Sequence, residues 1–228
     1  MATRTRRTER REEPLSRERI VEAAIELLDT VGERGLTFRT LAERLTTGPG
    51  AIYWHVTGKE ELLGAATDAV VAGTMPAGPA DTTPQEAIRV LALGVFDAIE
   101  THPWIGDQLA RSPGKSPMLR VFEHLGRQVQ ALGAPPAFQF TATSALLNYI
   151  VGVGGQNAAD ARAHHARTPD TSRAEFLDDA SAAWADLDPV EYAFTRSVAG
   201  QLREHDDRTE FVAGIDLILT GITHRQPG

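Results

Sequence analysis

Between Thr37 and Lys59 the chain gathers side chains suited to a polyanion. They are the guanidinium of Arg39, the hydroxyls of Thr37, Thr47 and Tyr53, the imidazole of His55 and the ammonium of Lys59. An Arg can grip guanine O6 and N7 with two hydrogen bonds. Hydroxyl, imidazole and ammonium groups suit phosphate oxygens, which set register rather than sequence. Thr37 and Thr47 can equally serve as helix caps. Other constellations carry less. The run Ile150 to Asn157 has glycines at 152, 154 and 155, but Asn157 stands where a dinucleotide fingerprint needs a third spaced Gly. His164-His165 and the acids Asp178, Asp179, Asp206 and Asp207 follow no metal-ligand spacing. The chain has no cysteine, which removes disulfide scaffolds, thiolate metal sites and cysteine nucleophiles. A Gly-x-Ser-x-Gly nucleophile elbow is also lacking. No catalytic residue, metal or cofactor is expected, and an enzyme is the disfavoured reading.

The elements that must position these residues are helical throughout. Ile20, Ala24, Leu27, Leu28 and Val31 recur on one helix face, behind an N-cap at Ser16 and a Leu15/Ile20 staple, with Gly32 and Gly35 ending the helix. A short helix over 38–45 follows, capped by Thr37, with Leu41, Ala42 and Leu45 inward. Pro49 opens a third helix over 49–55, where Ile52 and Val56 point inward and Tyr53 and His55 outward. Thr57-Gly58-Lys59-Glu60 fits a capping box for a fourth helix whose apolar face is Leu62, Leu63, Ala66 and Val70. Residues 73–84 have loop composition. Helical periodicity resumes over 85–101, 103–111, 116–132, 136–164, 173–184, 189–204 and 207–223. The apolar stretch Ala145 to Val153 reads as buried helix rather than strand because it lies inside a longer helical pattern.

With 228 residues, 42% of them hydrophobic and 24% charged, the chain is long enough for one or two packed domains. No apolar run reaches the roughly 18 residues of a membrane helix, so a cytoplasmic protein is the default. The net charge of −8 hides an asymmetry. Residues 1–64 are balanced, and all the excess acid lies in 65–228. Arg4, Arg6, Arg7, Arg10 and Arg11 make the first residues a basic arm.

Helix, turn and helix over 37–56 is the layout of a helix-turn-helix, whose second helix enters the major groove. The runs Leu36 to Leu45, Ala51-Ile52-Tyr53-Trp54-His55-Val56 and Lys59 to Leu63 resemble the DNA-binding domain of the tetracycline-repressor (TetR) family of transcriptional regulators. The resemblance is strong over about 15–70 and weak beyond. It implies an all-α protein, in which a three-helix N-terminal DNA-binding domain joins a larger C-terminal helical domain that binds a small-molecule effector and forms a homodimer. By residue, it implies a base or phosphate contact for Arg39, a phosphate-contacting pair in Tyr53 and His55, and a further phosphate contact for Lys59. Trp54 is expected to be a structural wedge against the first helix. One departure stands out: Gly48, Pro49, Gly50 and Ala51 occupy positions where the family often carries base-reading side chains. Gly50 offers none, and Ala51 can touch only a thymine methyl. DNA shape and the basic arm in a neighbouring minor groove would then add to specificity.

The expected organisation is an arm over 1–14, a DNA-binding domain over 15–72, a linker over 73–84 and an effector-binding and dimerisation domain over 85–228. Phe96, His102, Trp104, Met118, Phe122, Asn148 and Tyr149 are candidates to line a mostly apolar effector cavity, with ordinary helical core as the alternative for each aromatic. Asn148 is expected to need a buried partner. The segments 136–164 and 207–223 match the family's dimerising pair. The reading is a ligand-responsive repressor acting on double-stranded operator DNA, away from any membrane. A helical ligand- or partner-binding module without operator binding is the alternative.

Overall fold

The computed structural model describes residues 14–75, 82–111, 116–167 and 172–224. The basic arm up to residue 13 and the middle half of the expected linker, 76–81, therefore lie outside the described residues, as do the side chains of His164 and His165. Among the described residues the secondary structure is entirely helical. The elements are α1 (Arg17–Gly35), α2 (Phe38–Arg44), α3 (Pro49–Tyr53), α4 (Lys59–Gly73), α5 (Pro84–Thr101) and α6 (Trp104–Arg111). They continue with α7 (Ser116–Ala131), α8 (Pro136–Arg167), α9 (Arg173–Ala185), α10 (Ala193–Arg203) and α11 (Asp207–His224). None of the described helices is long and apolar enough to cross a membrane. The chain divides into two compact units between Ala69 and Val70, within α4.

In the first unit the expected caps of α1 and α2 form. The Ser16 hydroxyl accepts from the Arg19 N–H, and Ile20 below it is fully buried. Thr37 caps α2 by accepting from the Thr40 N–H at 3.1 Å, while the Thr40 hydroxyl accepts from the Thr37 N–H. The core joins Ile20, Ala24, Leu27 and Leu28 of α1 to Leu36, Leu41, Ile52, Val56, Leu62 and Ala66. Burying a Leu or Ile of this kind stabilises by about 1.5–3 kcal/mol. Val31, expected on this face, is 54% exposed: the buried face stops at Leu28, a turn before the kink where Gly32 takes φ +69°.

The second unit is built around α5 and α8. Ile88, Leu91, Val95, Phe96 and Ile99 of α5 are buried with Leu146, Leu147 and Ile150 of α8, and with Phe211, Ile215 and Leu219 of α11. Small residues let these helices approach. A Cβ on Gly154 of α8 would stand 3.0 Å from an Ile99 methyl. The helices α9 and α10 form a hairpin tied by the buried Ser181 hydroxyl, which donates to the Ala199 carbonyl at 2.8 Å. The expected helix start at 189 shifts to 193, because Asp188 accepts from the N–H groups of Val190 and Glu191 and holds that stretch as a turn.

Candidate nucleic-acid interface

Two short connections and one buried side chain hold α3 in place. At its N-terminal side the turn between α2 and α3 closes through Thr46, which adopts φ +53°, and through the Thr47 N–H bonded to the Ala42 carbonyl. Gly48 is the N-cap of α3, with no side-chain cap, and Pro49 follows it in the first turn. Thr47 therefore does not cap this helix as expected. Beneath α3, Ile52 is fully buried. Beyond it the chain continues through the His55 and Val56 N–H groups, both bonded to the Ile52 carbonyl, and Val56 returns to the core.

The outward side carries the chemistry. Arg39 is highly exposed, with its Nε donating to Glu43 Oε1 at 3.0 Å one helical turn away. Tyr53 is 56% exposed and stacks on Phe38. Thr37 is exposed, and Thr47 and His55 are half-buried. Gly50 is exposed, and a Cβ there would meet nothing within 4 Å. Ala51 is half-buried beside it. The Lys59 ammonium donates to the Glu33 carbonyl at 2.5 Å. One of its three donors is thus used to tie α4 to the end of α1.

Trp54 corrects the sequence expectation. It is 90% exposed and is no wedge against α1. Because α3 spans only five residues, Ile52 and Val56 take the inward positions. A residue two places past Ile52 lies about 200° around the helix from it. The Thr57 cap also differs in detail. The Thr57 N–H and hydroxyl both donate to Glu61 Oε2, at 2.6 and 2.7 Å, rather than to Glu60. Those two donors, with Arg17 beside them, hold the Glu61 carboxyl below its usual range. Neither Glu61 nor Arg17 was legible as part of this surface. The only hint was a carboxylate four residues after a capping threonine.

The seven candidate effector residues all lie in the second unit. Phe96 is wholly buried and lies 4.5 Å from Phe211, ring centroid to ring centroid; Tyr149 stacks on the same Phe211 at 5.6 Å. The Tyr149 hydroxyl donates to the carbonyls of Glu210 and Phe211, and burial pushes its pKa up. His102 and the buried Trp104 pair at 6.1 Å, at the break between α5 and α6. Met118 and Phe122 are half-buried on α7, with Phe122 5.8 Å from the exposed Phe140. Asn148 is exposed, so water can satisfy the amide that was expected to need a buried partner. A surface depression of about 500 Å³ lies in the first unit, lined by Arg19, Glu22, Ala23, Glu26, Arg44 and Leu45.

Comparison with known proteins places these features. The family described as bacterial regulatory proteins, tetR family, matches residues 20–66. The tetracyclin repressor-like C-terminal domain matches residues 75–226, more than half of the chain. The transcriptional regulator SCO7222, a TetR from Streptomyces coelicolor, is 61% identical, with a TM-score of 0.84 over 92% of this chain and 99% of that one. A curated HTH-type transcriptional regulator of Saccharopolyspora erythraea is 32% identical over 60% of this chain. The matched stretch spans 59% of that protein. The structure of BioQ with its double-stranded DNA operator is 30% identical, with a TM-score of 0.58 over 68% of this chain and 94% of that one.

Proposed function

The chain belongs to the tetR family of bacterial regulatory proteins, and from that premise we propose that it is a homodimeric transcriptional repressor released from operator DNA by a small apolar or amphipathic molecule. It acts in the cytoplasm and catalyses no reaction. The observation that carries this reading is the exposure of Arg39, Tyr53 and Trp54 around a helix-turn-helix whose Leu41 and Ile52 are wholly buried.

The candidate contact residues divide the work. Arg39 reads a base edge or grips a phosphate. Tyr53, His55, Thr37, Thr47 and Lys59 donate to phosphates and set register. Gly50 and Ala51 bring the backbone itself close to the bases. We read 15–72 as the DNA-binding domain, 73–84 as the linker, 85–228 as the effector-binding and dimerisation domain, and 1–14 as an accessory basic arm. BioQ, which shares the helix-turn-helix fold, is a relative solved on its operator.

Dimerisation uses α8 and α11. The face of α11 opposite its buried Phe211, Ile215 and Leu219 presents Leu217 at 75% exposure. On α8 the exposed Ala145, Asn148, Gly152 and Gln156 follow one helical stripe. Small residues there suit close approach of a second copy. Among the candidate effector contacts, Trp104 and Phe96 are buried and His102, Met118, Phe122 and Tyr149 half-buried, whereas Asn148 is exposed and belongs with the dimer stripe. A ligand that favours a half-site spacing other than about 34–36 Å lowers DNA affinity, and DNA lowers ligand affinity by the same factor.

The test is fluorescence anisotropy on DNA from upstream of the protein's own gene, against scrambled competitor, over a salt series. Selective binding that weakens steeply with salt, and that falls in the Arg39→Ala and Tyr53→Ala variants, supports the reading. Equal binding to both duplexes by all three proteins contradicts it.

A further inference from the structure

Resting on the DNA-binding reading, we propose that Glu61 is a positioning residue for the DNA-contacting turn, acting through Thr57 and held by Arg17. The carboxylate sits at a junction of three elements. Glu61 Oε2 accepts from both the N–H and the hydroxyl of Thr57, in the turn between α3 and α4. Its other oxygen, Oε1, accepts from Arg17, the first residue of α1, at 3.1 Å. The same guanidinium reaches the His55 carbonyl at 3.5 Å. The turn so held runs from Trp54 to Gly58, and the phosphate-facing His55 and Lys59 bracket Thr57.

The need for such a junction follows from the length of α3. Five residues make a single turn and a half, far below the roughly 12–15 that sustain a helix on its own. Its direction is set from outside. On one side Phe38 supports Tyr53, and below, Ile52 and Val56 are anchored in the core. On the remaining side the turn is tied by side chains through Glu61, which accepts from Thr57 and Arg17, and through Arg17, which donates to the His55 carbonyl.

A half-exposed ion pair adds little stability by itself, so a solvated surface carboxylate is the competing explanation. The two differ in sign. A carboxylate beside phosphate contacts repels DNA, and removing a merely solvated one strengthens binding to any duplex. Removing a positioning carboxylate weakens binding to the operator while leaving binding to unrelated DNA unchanged or tighter.

The experiment uses the full-length protein with Glu61→Gln, Thr57→Val and Thr57→Ser. Each is titrated by anisotropy onto a duplex selected from a random pool by the wild type, and onto a scrambled duplex of the same length, with circular dichroism melts alongside. Glu61→Gln should lose about five- to tenfold on the selected duplex, lose nothing on the scrambled one, and melt within about 3 °C of wild type. Thr57→Val, which leaves every charge in place, should lose about threefold, and Thr57→Ser should restore it. Glu61→Gln binding the selected duplex as tightly as wild type, or tighter, overturns the proposal and leaves DNA binding intact. Equal losses on both duplexes, or losses that track a fallen melting temperature, also overturn it. A wild type that discriminates between no duplexes brings down the DNA-binding reading itself.

Discussion

Tyr53 lies flat against Phe38, with ring centroids 4.4 Å apart and planes 9° from parallel. The contact joins the first residue of α2 to the last of α3, so the two helices share a wall on their outer side as well as a core beneath. It leaves the phenol 56% exposed, with its hydroxyl available to a ligand. Tyr53→Phe should therefore keep the stack and the melting temperature, and lose DNA affinity by about 1 kcal/mol for one neutral hydrogen bond. Tyr53→Ala should lose more affinity and also lower stability, by about 0.5–1.5 kcal/mol for the aromatic pair. Paired melts and binding titrations of the two variants separate these effects.

Arg39 is bonded to Glu43 in an exposed pair one helical turn apart. Such pairs contribute little, so Arg39→Ala should melt within about 1–2 °C of wild type. If the guanidinium reads a base, operator affinity should fall by about 1–3 kcal/mol, and selectivity against scrambled DNA should fall with it. Competition titrations measure both quantities.

Trp54, at 90% exposure, contributes almost no burial to the fold. Trp54→Ala should leave the melting temperature unchanged within about 1 °C. Of the three tryptophans, Trp104 is 7% and Trp184 38% exposed, so acrylamide should quench chiefly Trp54. Saturating operator should protect that fraction, and scrambled DNA at equal concentration should protect it less.

Gly214 of α11 lies against the Tyr149 phenol, and a Cβ at that position would stand 1.9 Å from the hydroxyl oxygen. Gly214→Ala should cost about 1–3 kcal/mol of overpacking, seen as a fall of several degrees in melting temperature. In a Tyr149→Ala background the same substitution should cost much less, giving a large coupling in a double-mutant cycle.

Glu100 sits near Asp97, Asp206 and Asp207. Partial desolvation raises its carboxyl first, these acids add to the rise, and Arg208 opposes it. A folded-state pKa above the unfolded one means that the folded chain holds the proton more tightly. The stability this contributes is present below the unfolded pKa and is lost as pH rises through the folded value. Glu100→Gln should accordingly raise the melting temperature slightly at neutral pH, by an amount of order 1 °C, and the gain should vanish towards acid pH. Thermal melts across a pH series check the sign.

Much of this architecture was legible because local signals and burial agree. Ser16 and Thr37 sit at helix starts, Pro49 sits in the first turn of α3, and periodic apolar residues such as Leu41, Ile52 and Ile99 are buried. Position on the outer surface was harder. Trp54 is large and apolar, and residue type alone argued for burial, but a helix of five residues has only one inward face. Asn148 was read as a buried amide because its neighbours Leu146, Leu147 and Ile150 are apolar, yet it stands on the opposite side of α8 from them. The Glu61 junction draws Arg17 across 44 residues of sequence, and no periodicity encodes a contact at that separation.

Selection of duplexes from a random-sequence pool by the full-length wild-type protein tests the central claim most directly. A two-fold symmetric regulator should enrich an inverted repeat whose half-site centres lie about one helical turn, or a multiple of it, apart. Arg39→Ala should relax the enriched bases within each half-site. A pool that shows no enriched sequence after repeated rounds at low salt would contradict the claim, and would leave the helix-turn-helix as a structural element only.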